Sequence, residues 1–118
     1  MGCGSIDQKS LETHAAAIAS ISAEGAALAR EIQQGGVQQT FIGTHTDALL
    51  KQAAQETAAL MSATDSPELE TRVRKLERVT AGVADTIRSL GDRPGDADEL
   101  RIKLVAASRE AKALSAAK

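Results

Sequence analysis

The chain has 118 residues, of which 42% are apolar and 25% are charged, with a formal net charge of −2. This length suits a single domain, and the apolar fraction is large enough for a packed core, which excludes wholesale disorder. The balanced charge favours no polyanionic partner. Phe41 is the only aromatic residue, so the core must consist of small side chains. That composition favours closely packed helices over a β-sandwich.

The first helix is predicted over residues 8–34, where apolar residues recur at spacings of three and four. Ser5 or Asp7 is expected to cap its N-terminus, and Gly35 and Gly36 are expected to end it. Alanine and serine residues flank its apolar face. Because small side chains permit close approach of another helix, this helix is the first place to expect a docking face, although a fourth core helix would explain them equally well.

The second helix has the least certain limits. An amphipathic pattern runs from Thr46 to about residue 63, but the stretch 37–44 is compatible with two further helical turns or with an irregular connection. Gly43 lies in that stretch, and a glycine inside a helix costs about 1 kcal/mol relative to alanine. The sequence therefore leaves both alternatives open.

The third helix has the clearest pattern and is predicted over residues 67–90. Its apolar residues form a heptad seam, with Ser66 as N-cap and Pro67 in the first turn. Gly91 is expected to end it as a left-handed cap. The seam consists of Leu69, Val73, Leu76, Thr80, Val83, Ile87 and Leu90.

The fourth helix is predicted over residues 97–116, after a turn at 92–95. Asp96 and Glu99 have the spacing of a capping box at its start. Its apolar seam is widened by Ile102 and Val105. The connections between the predicted helices are all short, which favours an all-α, up-down-up-down antiparallel bundle of four helices, or of three plus a short one. Residues 8–118 would form this domain, and residues 1–7 a flexible tether.

No arrangement of residues typical of an enzyme is present, and we expect a protein without catalytic residues or cofactors. Cys3 lies in the predicted tether, away from any base that could activate it. The size of the bundle resembles that of histidine phosphotransfer domains, whose reactive histidine is followed by Lys and Gly at the third and fourth positions. His14 and His45 are followed there by Ala and Ile or Leu, so the resemblance ends at the fold.

Metal and nucleic-acid binding are two alternative functions. A di-iron bundle requires Glu-x-x-His motifs, and neither His14 nor His45 has a glutamate three residues before it. We expect no metal site, with His14 at the edge of the core and its ring reaching solvent. Nucleic-acid binding would use the cations of helix 3, but acidic residues are interleaved with them, which is typical of a salt-bridged surface. Those cations are Arg72, Arg74, Lys75 and Arg78.

The N-terminal residues Met1-Gly2-Cys3-Gly4-Ser5 have three interpretations. Gly2-Cys3 resembles the junction of a bacterial lipoprotein, which implies a lipid on Cys3 and a short polar tether. The same residues resemble a eukaryotic dual acylation site, although Ile6 stands where that site has Ser or Thr. The third interpretation is an ordinary start, or vector-derived residues, before a soluble bundle.

We therefore expect a small non-catalytic bundle that acts by protein–protein interaction, with an unknown partner or a second copy of itself. Contact with a membrane would come only through a lipid on Cys3, and no nucleic acid is expected. The location would be the bacterial cell envelope if Cys3 is lipidated, and the cytoplasm otherwise. A small-molecule or metal-binding bundle, and a nucleic-acid-binding domain using helix 3, are the alternatives.

Overall fold

The structure is a computed structural model that describes residues 5–116. Its helices are α1 (Gln8–Gln34), α2 (Gln39–Leu60), α3 (Pro67–Asp92) and α4 (Ala97–Ala116), with a 3₁₀ turn at Pro94–Asp96 before α4. Short connections make consecutive helices antiparallel, and the bundle measures 49 × 24 × 16 Å. The predicted all-α, up-down-up-down architecture is confirmed.

The helix N-termini predicted from capping residues are confirmed for α1 and α3. The Asp7 carboxylate accepts a hydrogen bond from the Ser10 N–H at 2.8 Å, and this bond lowers the pKa of Asp7 below its ordinary value of 3.8. At α3, the Ser66 hydroxyl accepts from the Leu69 N–H at 3.2 Å. Each bond satisfies a main-chain donor that has no partner within its own helix.

The helix α2 begins at Gln39, so Gly43 and most of the uncertain stretch are helical. Its N-cap residue, Gln38, makes no side-chain capping bond, which explains why the sequence carries no clear start signal. The helix ends at Leu60, three residues before the predicted limit near residue 63.

The prediction that Gly91 caps α3 is wrong. The helix continues to Asp92, and the positive φ angles among the described glycines are those of Gly35 and Gly36. A Cβ atom at Gly91 would lie 3.0 Å from the Thr46 Oγ1 atom of α2. The close approach of two helices, and not the helix end, therefore favours a glycine at this position, because a Cβ atom would force Thr46 to shift.

The closest helix pair is α1 with α4, the first and last helices of the chain. Ser22 donates a hydrogen bond to the Leu104 carbonyl at 2.6 Å, and Ser108 donates to the Ala19 carbonyl at 3.1 Å. A Cβ at Gly25 would lie 3.2 Å from Leu104 Cδ1. Small residues thus bring the two backbones together, and the serines link them. The small buried residues of α1 are Ala15, Ala19, Ser22, Gly25, Ala26 and Ala29.

The N-terminal residues 5–7, which the sequence analysis placed in a tether, lie against the loop between α2 and α3. Ile6 is buried, its N–H donates to the Ala63 carbonyl at 2.7 Å, and its carbonyl accepts from the Asp65 N–H at 3.2 Å. Ser5 donates to the Asp65 carboxylate at 2.7 Å. These residues are part of the folded domain, since Ile6 contributes to the main core.

Candidate interaction surface

The structure gives His14 a partner that the sequence does not reveal. Its Nδ1 atom lies 2.7 Å from the Glu56 Oε1 atom of α2, and both side chains are about one-fifth exposed. His45 instead packs edge-on against the Phe41 ring, with centroids 5.4 Å apart. Since Glu56 lies roughly three helical turns beyond His45, about 16 Å along α2, the two histidines do not converge on one site. Nowhere in residues 5–116 do three or more potential metal ligands gather.

Three of the four cations predicted as a patch on α3, namely Arg74, Lys75 and Arg78, differ in their surroundings. Arg74 contacts two glutamates and a main-chain carbonyl. Its Nη1 donates to Glu77 at 2.7 Å, and its Nε lies 2.9 Å from Glu70 Oε2. Its Nη2 donates to the Ser62 carbonyl at 3.3 Å. Lys75 and Arg78 are exposed and line a groove that faces α4. Acidic residues therefore offset the charge of Arg74, whereas Lys75 and Arg78 belong to the groove.

This α3/α4 groove has a volume of about 610 Å³ and is open to solvent along its length. Three cations line it, Lys75 and Arg78 from α3 and Lys103 from α4, against one acid, Glu110. These charged residues are exposed, and we call them the rim of the groove. The remaining lining residues, which are small or apolar apart from the hydroxyl of Thr86, form its floor and walls. The floor and walls consist of Val79, Gly82, Thr86, Ala106 and Ala107.

Gly82 has no role in the fold that requires a glycine. It is exposed within α3, it lacks a positive φ angle, and a Cβ built on it would have no heavy atom of a neighbouring residue within 4 Å. Gly25 and Gly91 differ, because a Cβ at either would press against a neighbouring helix. Alanine at Gly82 would favour the helix by about 1 kcal/mol. The glycine keeps the groove wide at a cost to the helix.

Ile102 extends the apolar surface beside this groove. Its spacing predicts a place in the core stripe of α4, but Ile102 is 58% exposed, so that prediction is wrong. Because the apolar period of α4 centres on Leu100, Leu104 and Ala111, Ile102 points away from the core. It lies one turn before Ala106, on the same side of the helix.

The docking face expected on α1 is largely occupied by α4. The serine and alanine residues that face α4 are buried, and a smaller groove of about 340 Å³ remains beside them. Its lining has one charged residue, Lys112, and otherwise only alanine and serine. This surface lacks both the charge and the larger apolar side chains of the α3/α4 groove.

Cys3, the predicted lipid attachment site, lies outside the described residues. The nearest described segment, Ser5–Asp7, is held at the end of the bundle that carries the α2–α3 loop. Within the described helices, no stretch has both the length and the apolar character needed to cross a bilayer.

Comparison with known proteins identifies no relative. Neither a protein-family model, nor a curated protein, nor a solved structure matches the chain.

Proposed function

We propose that this chain is a non-catalytic helical-bundle protein that binds a partner protein through the α3/α4 groove. The proposal rests on one open groove that combines an apolar floor, a cationic rim and open space at the Cβ site of Gly82. Protein-binding surfaces are typically built in this way, with an apolar centre and a polar border.

The sequence features of the groove also favour a protein partner over nucleic acid. Single-stranded nucleic acids require aromatic side chains on which bases stack, and Phe41, the one aromatic residue of the chain, lies on α2. Duplex binding depends on many phosphate contacts, whereas Glu110 offsets one of the three cations here.

A photo-crosslinking experiment in the native host tests this function. Ala106, in the groove, is replaced by benzoylphenylalanine, and Ala54, exposed on α2, receives the same replacement as the matched control. We expect a discrete adduct of defined mass from position 106 and none from position 54. Equal labelling from both positions, or no adduct from 106, would contradict the proposal.

We also propose that Cys3 carries a lipid that tethers the bundle to a membrane of the bacterial cell envelope. The support is the Gly2-Cys3-Gly4-Ser5 sequence, which resembles a lipoprotein junction. Ser5–Asp7 lie at one end of a domain 49 Å long, so a lipid two residues before Ser5 would attach the bundle by that end. The lipid would serve as an anchor.

Intact-mass spectrometry of the protein isolated from its native membranes tests the tether. We expect a mass increase that corresponds to acyl chains and that is absent from the Cys3→Ser variant, which would move to the soluble fraction. An unmodified cysteine in the native protein would exclude the lipid, and the protein would then be assigned to the cytoplasm.

A further inference from the structure

We infer that the partner presented to the α3/α4 groove is an amphipathic helix with small or aliphatic residues on one face and acidic residues on its flanks. This inference rests on the proposed function and specifies the chemistry of the partner. It draws on three features of the groove: its shape, its charge and the vacant position at Gly82.

The shape of the groove fits a helix. The α3 side extends from Lys75 to Thr86, about 16 Å at 1.5 Å per residue, which corresponds to three helical turns. Packed helices have their axes 8–10 Å apart, and the smallest distances require small side chains at the contact. The groove lining includes the small residues Gly82, Ala106 and Ala107, so a third helix can pack closely over the groove that α3 and α4 form.

The charge of the groove specifies the flanks of that helix. Lys75, Arg78 and Lys103 are opposed only by Glu110 among the lining residues. Acidic side chains on the incoming helix would meet these cations at the partly solvated rim, where complementary charge sets the orientation and the choice of partner. Basic side chains at the same places would be repelled.

A second copy of this chain is a poorer occupant of the groove. In a symmetric dimer the same surface of each copy meets its counterpart. Two such grooves face to face would bring three lining cations but only one acid from each copy into a single interface. The like charges would disfavour that dimer, so the complementary surface must come from a different, acidic chain.

The open space at Gly82 gives an incoming helix room to approach α3 closely. No neighbouring atom approaches the site of a Cβ at Gly82, and the helix would be more stable with alanine there. A side chain at this position would project into the groove. The structure therefore provides a matched pair of substitutions, because Gly43 of α2 has equally open space around its Cβ site and does not line this groove.

The test measures the binding of two synthetic helical peptides of about 18 residues to the full chain. One peptide has alanine and leucine on one face and glutamate on both flanks, and the other has lysine in place of every glutamate. We expect the glutamate peptide to bind at least ten times more tightly by fluorescence anisotropy at low salt, and the difference to shrink as salt rises. Amide NMR shifts are expected to change around Gly82 and Ala106.

Variants of the chain locate the binding. Gly82→Leu is expected to weaken binding of the glutamate peptide at least tenfold, while Gly43→Leu leaves it unchanged. The double variant Lys75→Glu with Lys103→Glu should reverse the preference between the peptides. Circular dichroism verifies that each variant is folded. If Gly82→Leu does not fold, the reversal of peptide preference in the double charge variant still tests whether the peptide binds in the groove.

Several results would overturn the inference. They are equal affinity for both peptides, NMR shifts outside the groove, tighter binding of a DNA duplex than of the glutamate peptide, or a dimer in sedimentation that Gly82→Leu dissociates. If position 106 still forms its adduct in the host while the peptides show no charge preference, the acidic helix is wrong and the proposed function stands. If that adduct is absent, the proposed function itself fails.

Discussion

Ser22 and Ser108 cross the interface between α1 and α4 in opposite directions, and each donates to a main-chain carbonyl of the other helix. Both side chains are almost fully buried. A buried hydroxyl without a partner would be costly, whereas a satisfied one contributes about 1 kcal/mol to stability. The serines therefore permit close packing and fix the relative position of two helices that are distant in sequence.

Replacement of Ser22 by alanine tests this role. We expect Ser22→Ala to have a free energy of unfolding about 1 kcal/mol below that of Ser20→Ala, because both gain the same helix propensity and only Ser22→Ala loses the bond to the Leu104 carbonyl. Ser20→Ala, on the exposed side of the same helix, is the matched control and should gain a few tenths of a kcal/mol from helix propensity. Urea denaturation gives both values, and equal stability of the two variants would refute the role.

The capping carboxylate of Asp7 makes the stability of the domain depend on pH in the acid range. Its pKa is lowered below 3.8 in the folded chain by the main-chain and side-chain hydrogen bonds from Ser10. A carboxyl group with a lowered folded-state pKa stabilises the fold above its unfolded-state pKa, and this contribution is lost as pH falls through the folded value. The contribution is therefore complete near neutrality, begins to fall near pH 3.8 and is lost as the pH passes below the lowered pKa of Asp7.

A comparison of Asp7→Ala with Asp7→Asn reveals this dependence. Wild-type protein should be more stable than Asp7→Ala at pH 7, and its advantage should diminish as the pH is lowered through the acid range. Asparagine also caps helices but does not titrate, so the advantage of Asp7→Asn over Asp7→Ala should remain nearly constant. Urea unfolding at a series of pH values measures both differences. An advantage of wild type over Asp7→Ala that is independent of pH would contradict the assignment.

At the level of helices, the sequence predicts what depends on local signals. Ser66 and Pro67 indicate the start of α3, and the 3–4 spacing of apolar residues indicates its buried face. Local signals fail where a contact decides the conformation. Gly91 looks like a helix end because glycine favours such positions, but its neighbour Thr46 on another helix determines its role. The start of α2 has no capping side chain to reveal it.

The interaction surface was less predictable than the helices. The α3 cations could be identified from sequence, but which of them remain available depends on pairs such as Arg74 with Glu77. Lys103 joins Lys75 only because α4 packs beside α3. The pairing of His14 with Glu56 likewise joins residues on separate helices. Gly82 was visible in the sequence as a glycine inside the predicted third helix and outside its apolar seam, and its meaning required the open space that the structure reveals.

Gly82 also yields a prediction about the stability of α3. We expect Gly82→Ala to raise the free energy of unfolding by about 1 kcal/mol, because alanine favours the helix and its Cβ meets open space. Gly25→Ala provides the comparison, since its Cβ would lie 3.2 Å from Leu104 Cδ1 and would force a neighbour to move. Thermal denaturation should give Gly82→Ala the higher stability of the two. Destabilisation by Gly82→Ala would contradict the claim that the fold does not require this glycine.

The molecule as a whole is a rod 49 Å long, with its N-terminal residues and its cationic groove at separate locations. Residues 5–7 lie at one end, against the α2–α3 loop. The cationic groove runs along the side between α3 and α4, while the α1–α4 pair supplies the most closely packed contact of the bundle. In the proposed function, the end attaches the protein and the side binds the partner.

Photo-crosslinking from position 106 in the native host, in the Gly82→Leu and Gly43→Leu backgrounds, tests most directly whether the partner binds in the α3/α4 groove. If the α3/α4 groove is the working surface, the Gly43→Leu chain should form the adduct at the wild-type yield, and Gly82→Leu should reduce it at least tenfold. The two chains must first show equal helical content and equal abundance. Equal adduct yields from both would mean that the groove is not where this protein binds its partner.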